Sequence, residues 1–269
     1  MSGMRNFLRE QARQLTNRDI VTNTRALVTD RSAVLSAPTS RRRNNRNQPN
    51  LNGRGDYYSS FNGIFLGNDG TETEMRLIDA GEFNELYSNG NISELHQRVI
   101  TINNTQIQAD LQAVADRSST PNANGEYQEH QIYLTLDMRT ATISSVFGEP
   151  GVRDRTYMEY HPAPTIGVNF VDRPGGLVLI GQVHGHPPAP QGEVTLRTMS
   201  TYDVESSFSA NIPVYGIDAM DGPTRGRPAN IHRVTPDGTI TRRVGRTSSG
   251  FDIGRDAMLI WGRRDLTKQ

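Results

Sequence analysis

The sequence has no cysteine, one lysine, one tryptophan and no uninterrupted apolar stretch of about 18 residues. Without cysteine there are no disulfides and no thiolate-ligated metal site. Without a long apolar stretch there is no segment suited to a spanning helix. The first residues also lack the apolar core of a secretory signal, so any export is expected to follow a route independent of a signal peptide. Lysine is confined to Lys268, whereas 28 positions are arginine. Packing gives no reason for so complete a replacement. A biased coding composition accounts for it; so does delivery into a eukaryotic cytosol, where a chain without lysine offers ubiquitin ligases little to modify.

Formal net charge is zero, but it is unevenly spread: residues 1–60 hold eleven arginines against four acids, and residues 61–136 three against eleven. Residues 1–50 read as a basic amphipathic helix over 3–28 followed by a polar linker. The arginines at 41–46 have no aromatic residue among them to stack a base, so nucleic-acid binding is not expected. Arg54-Gly55-Asp56 spells a tripeptide similar to an adhesion signal and is expected in a flexible loop. Residues 51–124 read as a small, mostly helical region. Short strands or buried turns are expected at 57–66 and 74–78, and helices at 82–86, 91–99 and 105–116.

In residues 125–269 strands are expected at 132–136, 140–146, 168–171, 177–180 and 213–217, with a hairpin over 231–243 around Pro236-Asp237-Gly238. The apolar run 177–180 leads into His184-Gly185-His186-Pro187. In extended chain these histidines fall on one side, because side chains alternate with period two, and two imidazoles held so can share one metal ion. Fourteen residues past His186 comes Ser200-Thr201-Tyr202-Asp203. This is the spacing of a capping box, and equally of a helix start that aims Asp203 at the histidines to complete a three-ligand site with one position open.

His184-x-His186-Pro187 followed by Ser200-x-x-Asp203 resembles the metal-binding pattern of the JAB/MPN (JAMM) zinc metallopeptidases, particularly the JAB domains found in bacterial toxins and effectors. The likeness covers roughly residues 125–245, and the spacer after Pro187 is longer than the family's usual loop. It implies an α/β domain with a mixed curved sheet and flanking helices over 125–269, preceded by the smaller helical region. It also implies Zn2+ on His184, His186 and Asp203, Ser200 orienting the reacting oxygen, and an upstream glutamate as general base. Glu129 is the positional match, with Glu126 in reserve. Glu159 and His161, in a loop-rich stretch at 148–167, compete for roles in the site, and His232 offers a His-His-His alternative to Asp203.

The expected activity is zinc-dependent cleavage of a peptide or isopeptide bond in a protein substrate, including ubiquitin-like ones, by a secreted effector or toxin. Two rivals stand beside it: a peptidoglycan cross-link hydrolase and a catalytically inactive JAB-like binding protein. Secretion machinery or a chaperone is the further partner expected for a delivered protein, and a cytoplasmic location is the alternative.

Overall fold

The computed structural model describes residues 55–68, 74–91, 98–151, 176–188, 199–219 and 227–264. The expected helix at 3–28, the arginine run, the strand at 168–171, Glu159 and His161, and most of the spacer between Pro188 and Met199 lie outside the described residues. Two compact units emerge. One holds the described residues up to Thr101 with the turn Met138–Ala141 and Gly176, and the other holds the rest from Ile102 onward. Among the described residues no helix is long and apolar enough to cross a membrane.

The first unit is a four-stranded sheet in the order β2-β1-β3-β4, formed by β1 (Asp56–Ser59), β2 (Phe65–Asn68), β3 (Met75–Ile78) and β4 (Arg98–Val99). Helix α1 (Ala80–Ser88) starts at Asp79, whose carboxylate accepts the amides of Gly81 and Glu82. Its Phe83 packs 5.3 Å from the ring of Tyr57 and 4.9 Å from that of Tyr87, in a core shared with Leu66 and Ile78. Strands β1, β2 and β3 fall where short strands or buried turns were expected, at 57–66 and 74–78, and α1 covers the helix expected at 82–86. The strands of this unit are four residues or fewer, and all four side chains of β1 are buried. Arg98 and Val99, the end of the helix expected at 91–99, pair with β3 instead. Asp56 is buried in β1 and accepts the Asn68 amide at 2.6 Å, which corrects the expectation of a flexible adhesion loop.

The second unit carries a mixed, partly curled sheet of seven strands flanked by helices. Its strands are β5 (Thr101–Ile102), β6 (Gln131–Asp137), β7 (Thr142–Phe147), β8 (Leu177–His186), β9 (Val214–Asp218), β10 (Asn230–Val234) and β11 (Ile240–Arg246), in the order β11-β10-β9-β8-β6-β7-β5. Strand β8 runs parallel to β9 and antiparallel to β6. Helix α2 (Asn104–Ser118) buries Ile107, Leu111 and Val114 at helical spacing. It belongs to this unit rather than to the region before it.

The two faces of this sheet differ in chemistry. One face presents Ile132, Leu134, Val183 and the glycines at 181 and 185 to α2 and to α4 (Gly250–Gly262). Gly185 lies directly against Ser118 and Val114 of α2, and Gly181 against Ala257 of α4, so a side chain at Gly185 would push α2 off the sheet. The opposite face presents Gln131, Gln182, His184 and His186. Beside them, α3 (Thr201–Ala210) sits on β9 and β10 through Val204, Met199, Val214 and Val234.

Candidate metal centre

His184 and His186 end β8 on the same face, as the alternation requires, and are 1% and 5% exposed. Their Nε2 atoms are 3.0 Å apart, and Asp203 Oδ1 lies 3.2 Å from His184 Nε2. Among the described residues these three form the group whose ligand atoms converge, all within 4.8 Å of one another. Four tetrahedral ligands at about 2.0–2.1 Å from a zinc ion are roughly 3.3 Å apart, so two imidazoles and one carboxylate with these separations fit a small divalent cation. The Nε2 atoms are the ones that meet, and both Nδ1 atoms are buried without a protein hydrogen-bond partner.

Asp203 serves the cap and the cluster at once, because its two oxygens are divided between them. Oδ2 accepts the Ser200 amide at 2.6 Å and the Ser200 hydroxyl at 2.8 Å, while the Asp203 amide donates back to the Ser200 hydroxyl, completing the capping box of α3. Oδ1 is left for the histidines. The two readings of the Ser-x-x-Asp spacing are therefore one arrangement: the helix start is what aims the carboxylate. The single hydroxyl hydrogen of Ser200 goes to Asp203.

Glu129 precedes β6, two residues before Gln131, which pairs in register with His184. Its backbone is held by the amide of Gly151, and the neighbouring His130 carbonyl accepts the amide of Gly185. The side chain is 3% exposed. Burial pushes its carboxyl up to about 7, with His184 opposing and Asp203 reinforcing the shift. Burial also drives His186 down to about 4, helped by the charge of His184. For His184, burial acts downward, but the Asp203 and Glu129 carboxylates reverse it and the net shift is upward. Burial opposes ionisation of Asp203, yet His184 outweighs it and holds the carboxyl far below the ordinary range.

Glu126 is exposed in the turn at Asn122, away from this cluster. His232 does not join it. Its Nε2 lies 3.0 Å from Asp218 Oδ2 and its Nδ1 accepts the amide of Arg243 at 3.4 Å, so both ring nitrogens are engaged. Sequence reading missed two residues. Asp218 closes β9 opposite His186, and its only sequence signal is an acid directly after an apolar strand. Gly216 leaves room for the His186 ring: a Cβ there would sit 2.5 Å from His186 Cε1 and 2.9 Å from Met199 Sδ. The chain matches no protein-family model and no curated protein.

Proposed function

We propose that this chain is a metal-dependent hydrolase of JAB/MPN type that cleaves a peptide or isopeptide bond in a protein substrate. The observation that carries the reading is Glu129. It is a buried acid outside the ligand set, held beside His184 and Asp203 with its pKa near neutrality, as a general base requires. His184 and His186 through Nε2, and Asp203 through Oδ1, would hold the ion, with zinc suited to two imidazoles and a carboxylate. When bound, such an ion supplies Lewis acidity that activates water and polarises a carbonyl.

Glu129 then takes a proton from the water that attacks the amide carbonyl and returns one to the departing amine as the carbon–nitrogen bond breaks. Ser200 fixes Asp203 through Oδ2; its hydroxyl reaches an oxyanion only by releasing that bond. That engagement favours one rival, a JAB-like binding scaffold without catalysis. Delivery into another cell remains part of the proposal, motivated by the near absence of lysine.

The test uses full-length protein made without an affinity tag. Its metal content is measured, and it is assayed against ubiquitin-type isopeptides, linear peptides and peptidoglycan cross-links. Glu129→Gln should keep the metal and lower the rate by roughly 10² to 10⁴. Cleavage by Glu129→Gln at the wild-type rate would remove the proposed base. A metal-free, folded wild type that cleaves none of the substrates would favour the binding scaffold.

A further inference from the structure

Strand β11 does not run regularly against β10. Arg233 pairs with Thr241 and Ile231 with Gly245, so His232 alone stands opposite residues 242–244. Within this bulge Arg243 has φ 55°, the left-handed region that side chains seldom adopt outside special turns. Its amide donates to His232 Nδ1, which anchors the bulge to the sheet.

The bulge has a consequence for side-chain direction. In an unbroken strand, positions 243 and 246 point to opposite faces. Here both line one recess of about 570 Å³, together with Asn230, Gly245, Ser248 and Ser249. Gly245 keeps it open, since a Cβ there would press on the Ser249 hydroxyl at 3.1 Å. Neither Arg243 nor Arg246 is ion-paired among the described residues.

Helix α4 begins at the same place. Ser249, its N-cap, accepts the Arg246 amide at 3.0 Å and donates to the Arg246 carbonyl at 2.8 Å. The first turn of α4 is thereby left without a side-chain cap, and its positive end borders the recess.

We propose that this recess binds a phosphate group, either as inorganic phosphate or as a phosphate monoester. Two guanidiniums supply fixed positive charge, each a planar fork of donors, and the Ser248 hydroxyl at the same recess offers a further donor. A tetrahedral dianion accepts from several directions at once, whereas a carboxylate offers one plane and a single charge. The site is separate in chemistry from the His184–His186–Asp203 cluster, and it does not depend on the hydrolase reading.

Titration calorimetry on the full-length protein tests it, with inorganic phosphate and phosphoserine as probes and acetate at matched ionic strength as the control. Saturable binding of either phosphate probe, absent for acetate, is expected. Arg243→Gln and Arg246→Gln should each weaken it about tenfold to hundredfold, the range of a lost charge-assisted contact. Arg242→Gln, on the same strand but outside the recess, should leave it unchanged, and so should His184→Ala. Failure of both phosphate probes to bind would overturn the proposal. Equal weakening by Arg242→Gln would also overturn it, because diffuse strand charge would then explain the binding. Loss of binding in His184→Ala alone would place the phosphate at the metal cluster and overturn it too.

Discussion

One face of the large sheet holds two histidine–aspartate pairs of nearly equal length, His184–Asp203 at 3.2 Å and His232–Asp218 at 3.0 Å. All four side chains are largely buried, yet the pairs do different work. In the first, a second imidazole brings its Nε2 to 3.0 Å, and the unbonded Nδ1 atoms point away, so lone pairs meet at one place. In the second, Nδ1 is taken by the Arg243 amide and Nε2 by Asp218, so no lone pair is left for a cation. Residue type does not separate a ligand from a structural histidine; the destination of the second ring nitrogen does.

The largest effect that sharpens this contrast is on metal content. His184→Ala and His186→Ala should each abolish stoichiometric zinc, because a three-donor site becomes a two-donor one. His232→Ala should retain zinc and instead lower stability by about 1–3 kcal/mol, the cost of leaving buried polar partners unsatisfied. Zinc content and melting temperature measured on the same samples separate the two. Zinc lost equally from His232→Ala would erase the distinction.

Gly216→Ala attacks the first pair without touching a ligand. The added Cβ lies within van der Waals contact of His186 Cε1 and of Met199, so the ring must turn and its Nε2 leaves the cluster. Zinc affinity should fall by more than the 10- to 100-fold typical of an altered outer shell while far-ultraviolet circular dichroism stays the same. A variant with wild-type zinc affinity would show that His186 has room the structure does not show.

A smaller effect concerns Glu129 in metal-free protein. In the fold its carboxyl keeps a proton up to about pH 7, while in the unfolded chain it ionises near pH 4.5. Between those values the unfolded state binds fewer protons, so this group makes the fold less stable as pH rises, by on the order of 3 kcal/mol in all. Glu129→Gln should therefore match the wild type near pH 4 and exceed it in melting temperature above pH 7. Equal curves at pH 8 would mean that the carboxyl is ionised at no cost, which would weaken its standing as a tuned base.

The extent to which these pairs were legible in the sequence follows from how local their causes are. Strand alternation puts His184 and His186 together within three residues, and the capping box aims Asp203 within four, so both were readable. Glu129 reaches the site through one antiparallel pairing, Gln131 with His184, and only the resemblance to a family pointed to it. The roles of His232, Asp218 and Gly216 depend on which strands lie side by side across β8, β9 and β10, which no local spacing reports. In the first unit strands are present where short strands or buried turns were expected, at 57–66 and 74–78, whereas Arg98 and Val99 were read as the end of a helix because a two-residue strand is too short to show a period.

The smallest expected effect is that of Ser200→Ala, and it separates the two tasks of Asp203. The variant loses the hydroxyl bond to Oδ2 and the return bond from the Asp203 amide, which should cost about 1 kcal/mol of stability as for other N-caps. The backbone amide at position 200 still holds Oδ2 at 2.6 Å, so the carboxylate stays aimed and Oδ1 stays on the histidine side. Zinc affinity should then change less than tenfold. Asp203→Asn, in contrast, keeps an oxygen for capping but removes the charge that holds His184 and the ion, so its zinc loss should far exceed its stability loss. If Ser200→Ala released zinc as readily as Asp203→Asn, the hydroxyl itself would be what holds the carboxylate in place, and the helix start alone would not be enough to aim it.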